Sequence, residues 1–142
     1  MIGSKTKVTY INGTIREFAI EGEIGYNSIE NIVNALSINI GIGVTSISDM
    51  FASSCINLEE VTIPNTVTTI GEGAFANTIN MTTLVIPSSV QSIGNGAFYA
   101  ARNMEEITFE GKTVAQVQAM ANYSWRIISR CVLHCTDGDI TV

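Results

Sequence analysis

LEEVTIPNTVTTIGEGAFANTIN, residues 58–80, lies over MTTLVIPSSVQSIGNGAFYAARN, residues 81–103, with nine identities in 23 positions. Most of the other positions keep their size or polarity. A unit this short cannot bury its own apolar residues, so repetition at this period predicts a solenoid in which neighbouring coils stack and share a core. The register extends backwards, since Ala35, Ile38, Ile40, Val44 and Ile47 fall on Leu58, Val61, Ile63, Val67 and Ile70. It extends forwards through Met104, Ile107 and Phe109 before it breaks. The repeats therefore occupy 35–112, as coils 35–57, 58–80, 81–103 and an incomplete fourth from 104.

Within one coil, alternation places Val61 and Ile63 inward and Glu60 and Thr62 outward. Pro64 and Pro87 end the strand, because proline cannot donate to a continuing ladder. A second short extended piece follows (Val67 to Ile70, Val90 to Ile93). Glycines at 71, 73, 94 and 96 permit a sharp change of direction. Ala74-Phe75 and Ala97-Phe98 then set one ring per coil inside the stack, on an expected single helical turn. Asn57, Asn80 and Asn103 recur at the end of each coil, where an amide satisfies backbone groups that a turn leaves unpaired.

The motif L-x-x-V-x-I-P-x-x-V-x-x-I-G-x-x-A-F, carried by Leu58 to Phe75 and Met81 to Phe98, resembles the BspA-like leucine-rich repeat family. The first coil departs from it: Gly41 replaces the proline, and Asp49-Met50-Phe51-Ala52 moves the ring by one position. The resemblance covers about half the chain, and the segment from Gly111 to Ile140 is similar to the one that often closes such arrays. It implies a mainly β solenoid with short helices and about four 23-residue coils. It also implies kinship with bacterial surface and secreted adhesion proteins and with modules of large gut-microbial and phage-encoded proteins. The implied address is extracellular, at a cell surface or on a virion.

The ends read as caps for the open core, and 1–142 as a single, complete unit. In the N-terminal cap, 1–34, Lys7 to Ile20 predicts a hairpin about Asn12-Gly13, with Val8, Tyr10, Ile15 and Phe18 as its apolar residues. Asn27 to Val33 predicts a short helix burying Ile29, Ile32 and Val33. In the C-terminal cap, 113–142, Thr113 caps a helix with Val114, Val117 and Met120 inward. Cys131 to His134 follows as a strand, and Asp137-Gly138 as a turn.

Composition narrows the function. The 142 residues are 46% apolar and 14% charged, with net charge −6 and seven scattered basic residues. Nucleic-acid binding requires a basic footprint, which is missing. No apolar run is long enough to span a bilayer or to form the core of a secretory signal. Cys131 and Cys135 lie about 13 Å apart on an extended strand, beyond disulfide reach. Both, with Cys55, read as free structural thiols.

Catalytic constellations are hard to assemble. Cys131, His134 and Cys135 invite a zinc reading, yet a strand puts the imidazole and the thiols on opposite faces and no second Cys/His pair completes a tetrahedron. The same alternation opposes Cys135–His134 catalysis. Glu60 and Glu106, two coils and about 10 Å apart, have a glycosidase-like separation. They stand, however, on a solvated strand face. Sequons at Asn12, Asn80 and Asn122 matter only in a glycosylating compartment.

What remains is surface. Stacking aligns Ser37, Glu60, Thr83 and Glu106 in one row and Asn39, Thr62, Val85 and Thr108 in the next. Tyr99, Tyr123 and Trp125 are candidate aromatic anchors; the alternative for Trp125 is that it covers the end of the core. The expected binding residues are thus Glu60, Thr62, Thr83, Val85, Glu106, Thr108, Tyr99, Tyr123 and Trp125. The expected role is non-enzymatic recognition or adhesion without metal or cofactor, the partner being a protein or glycan on a host or neighbouring surface. The alternative is a structural protein, decorating a particle or self-associating through strand edges into a filament.

Overall fold

The computed structural model describes residues 4–128 and 130–142. Residues 1–3 and 129, which fall in the two expected caps, lie outside the described residues. The chain opens with the hairpin β1 (Thr6–Tyr10) and β2 (Ile15–Phe18), paired antiparallel. Gly13 takes the left-handed conformation the turn needs (φ +84°), and Asn12 Oδ1 accepts from the Thr14 amide at 2.9 Å. Val8 and Tyr10 face the core as expected. Ile15 does not: it is 55% exposed, on the edge strand β2, which pairs only with β1. Phe18 is half-buried beneath the Arg16 guanidinium.

Next come β3 (Gly22–Ile24), two 3-10 turns, then β4 (Ala35–Asn39) and β5 (Val44–Ile47). The turns, at Tyr26–Ser28 and Ile32–Asn34, stand where one helix was expected. They bury Ile29 and Ile32 but leave Val33 exposed. Coils two and three each contribute a longer and a two-residue strand. These are β6 (Glu60–Thr62) and β7 (Thr69–Ile70), then β8 (Thr83–Ile86) and β9 (Ser92–Ile93). Strand β10 (Glu106–Phe109) leads to α1 (Val114–Gln118), then β11 (Val132–Cys135) and β12 (Gly138–Thr141). Thr113 and Gln116 form a reciprocal capping box at the start of α1, whose Val117 is buried.

One column is written directly in the pairing: Ile24, Ile47, Ile70 and Ile93 are successive partners in the parallel sheet β3-β5-β7-β9. Ile40, Ile63 and Ile86 join the same continuous core. Because β3 pairs with β5 and β11 with β10, both in parallel, the winding reaches into both caps and comes to about five turns.

The segment carrying the ring is not helical. Ala74 and Ala76 amides donate three residues back, to Gly71 and Gly73, while Phe75 and Asn77 amides donate across to Ala97 and Tyr99 of the next coil. Alternate amides thus close the turn and bind the stack. The rings form a line: Phe51, Phe75, Phe98 and Trp125, with centroids 6.2, 6.1 and 6.2 Å apart. Phe75 and Phe98 hold equivalent positions and lie 7° from parallel; the displaced Phe51 meets Phe75 edge-on at 89°.

Candidate recognition face

The outward rows take the expected register. Ser37 pairs with Glu60 and Asn39 with Thr62, while Thr83 pairs with Glu106 and Val85 with Thr108. The caps lengthen both rows, through Thr9 and Lys7 on β1 and through Val132 and His134 on β11. Two four-stranded sheets carry them, β2-β1-β4-β6 and β12-β11-β10-β8.

Among the described residues no ladder joins β6 to β8, although the same two coils are paired through β7 and β9 on another side. The seam forms a cleft of about 310 Å³ lined by Glu60, Thr62, Thr83, Val85 and Glu110 over Val61, Ile63 and Leu84. Four of the expected residues therefore meet in one place. Val85, 47% exposed, is an apolar contact among polar ones. Glu110 was not foreseen; its signal is that it occupies the position held by Pro64 and Pro87 in the preceding coils.

Glu106 and Thr108 sit beside the cleft, next to a charge triplet. His134 Nδ1 lies 2.9 Å from Asp139 Oδ1, and Nε2 lies 3.6 Å from Glu106 Oε1. The bond to Asp139 is the main cause that raises the imidazole pKa, with both carboxylate charges adding to it. A pKa raised on folding contributes stability in full below the unfolded value, ~6.5. That contribution disappears as pH rises through the higher folded value. The chain has one histidine, so a proton NMR titration reads it cleanly. Asp139→Asn is expected to move the midpoint down towards ~6.5.

The aromatic residues are not gathered on this face. Trp125 is fully buried, its indole N–H donating to the Ala121 carbonyl at 3.2 Å. It is no anchor for a partner. It closes the ring column, packing also on Phe109 and Tyr123. Tyr123 is half-buried. Tyr99 is exposed in a separate hollow with Met50, Gly73 and Gly96, under the Arg126 guanidinium at 5.0 Å.

The cysteines are free. Burial pushes Cys55 and Cys131 up to about 11, which keeps both protonated near neutral pH. Cys131 and Leu133 are buried, whereas His134 reaches the outward carboxylates. Among the described residues no group of three or more His, Cys, Asp and Glu side chains is arranged to hold a metal ion. No described helix is long and apolar enough to cross a membrane.

A further concavity was missed by the sequence reading. It is a trough of about 610 Å³ along the outer side of β3-β5-β7-β9, where Ser46, Thr69 and Ser92 form a hydroxyl row at successive coils.

Comparison with known proteins agrees with the winding. The model of the BspA type leucine rich repeat region matches residues 22–134 in six copies. A leucine-rich repeat protein from Bacteroides ovatus has a similar fold, at 22% identity and a TM-score of 0.53, over 70% of this chain and 26% of that one. A Treponema pallidum leucine-rich repeat protein aligns at 17% identity and a TM-score of 0.48, over 62% of this chain and 52% of that one. This chain thus spans between about a quarter and half the length of these two proteins. No curated protein matches.

Proposed function

We propose that this chain, which belongs to the BspA-type leucine-rich repeat family, is a non-enzymatic recognition or adhesion module that binds a protein or glycan at a cell surface or on a virion. The observation that carries the reading is the β6–β8 cleft, where Glu60, Thr62, Thr83 and Val85 converge on one patch with Glu110. Recognition by a repeat surface follows from stacking: each coil fixes the backbone positions of its outward residues relative to the next, so little backbone order has to be created on binding. The cleft supplies hydroxyls and carboxylates for hydrogen bonds and one exposed aliphatic side chain to exclude water. Among the described residues the buried thiols, Cys55 and Cys131, have raised pKa values, which disfavours their acting as nucleophiles.

An array of host-surface glycans and proteins tests the proposal, with Thr83→Ala and Val85→Asp as paired variants. Saturable binding to one component, weakened about tenfold by Val85→Asp, is the expected result. Binding to no component, or binding indifferent to both variants, contradicts it.

A second reading, self-assembly into a particle coat or filament, is favoured by the outer edges of β2 and β12, which have no ladder partner among the described residues. Such edges accept further strands. Light scattering across concentration separates the two readings: a strictly monomeric protein removes this one.

A further inference from the structure

The trough over β3-β5-β7-β9 has its own chemistry. One side is the hydroxyl row Ser46, Thr69 and Ser92, extended by Glu23, the strand partner of Ser46. Farther along each coil come Asp49, Glu72 and Asn95, at intervals of 23 residues, followed by Asn122 from the C-terminal segment. Gly71 and Gly94 stand between, where a Cβ would meet backbone of the coil beneath, so the coils approach closely along the trough. At about 4.8 Å per strand, β3 to β9 spans roughly 14 Å, the reach of about four extended residues.

Its lining selects among ligands. Three carboxylates and no Lys, Arg or His line it, which excludes anions. No aromatic ring lines it, so a sugar has no surface to stack on. The carboxylates do not converge as a metal site would have them. The ion pairs among the described residues lie elsewhere, leaving Glu23, Asp49 and Glu72 unneutralised. Asp49 is fixed in place, since its Oδ1 accepts from the Glu72 amide at 2.8 Å. Separated carboxylates interleaved with hydroxyl acceptors suit ammonium groups, each a compact charge with three donors and no need of a planar, bidentate partner.

The geometry points to a docking surface for an extended, lysine-bearing segment of a partner polypeptide. This trough lies on a different sheet from the cleft, so its failure leaves the recognition face untouched. Solvated charges make the interaction weak and salt-dependent.

The test uses fluorescence anisotropy of a labelled peptide of alternating lysine and serine at low salt, against the same peptide with glutamine for lysine. Wild type is expected to bind the lysine peptide, and the triple variant Glu23→Gln/Asp49→Asn/Glu72→Gln to bind it at least about fivefold more weakly. An equal charge change placed elsewhere, Glu17→Gln/Glu59→Gln/Glu105→Gln, is expected to stay within about twofold. Equal weakening by both triples reduces the effect to bulk charge and overturns the proposal, as does wild-type binding no stronger than to the glutamine peptide. Amide shifts in the unsubstituted protein answer the same question: movement at Ser46, Thr69 and Ser92 supports the trough, and movement confined to β4–β6 or β8–β10 contradicts it.

Discussion

Gly94→Ala is expected to destabilise the protein by about 3 kcal/mol, the upper end of what overpacking costs, whereas Gly96→Ala two residues away costs only about 1 kcal/mol. A Cβ on Gly94 would stand 2.6 Å from Glu72 Cα and Gly71 C, backbone atoms of the coil beneath. No flexible side-chain end is available to yield, so the coils must separate where β7 pairs with β9. Gly96 is different in kind. Its Cβ would find ordinary contact distances of 3.7 Å, and its cost lies in the left-handed backbone, φ +64°. Urea unfolding of the two variants measures the contrast. Equal effects would mean that coils two and three are not in backbone contact at Gly94.

Phe75→Ala is expected to cost about 3–5 kcal/mol, a large share of the ~5–15 kcal/mol by which a domain of this size is stable. The ring is fully buried between Phe51 and Phe98, and both neighbours belong to other coils. Because each coil touches only its neighbours, the cavity cannot be closed by rearrangement elsewhere. Thermal unfolding with a drop of about 10 °C or more is the expected reading. A loss under about 1 kcal/mol would place Phe75 at the surface rather than in a column.

The columns were legible because stacking imposes the same demand at the same place in each coil. Val61, Leu84 and Ile107, or Ile47, Ile70 and Ile93, answer to burial alone, and burial is written in residue type. The prolines ended β6 and β8 for an equally local reason. Other features lacked such a signal. Trp125 follows Phe98 by 27 residues rather than 23, so its place in the ring line is out of phase. Leu133 likewise pairs with Ile107 across 26 residues. The turn at 71–77 was expected to be helical around Ala74-Phe75, but alternate amides (Gly73, Phe75 and Asn77) are claimed by the next coil, a tertiary demand that local preference does not contain.

The site divides in the same way. Alternation fixed which of Glu60, Thr62, Thr83 and Val85 face out, and the constant offset aligned them. The opening between β6 and β8 depends on how two backbones meet, which side-chain pattern does not record. The trough was overlooked because β7 and β9 are two residues long, and so short an extended piece carries too little alternation to mark Thr69 and Ser92 as an outward row.

The stacking itself is most directly tested by methyl–methyl NOE measurement on protein labelled at isoleucine. Contacts are predicted from Ile24 to Ile47, from Ile47 to Ile70 and from Ile70 to Ile93, with none between alternate members, since these residues are successive partners in one parallel sheet. Absence of the Ile47–Ile70 and Ile70–Ile93 contacts would contradict the solenoid and, with it, both proposed binding surfaces.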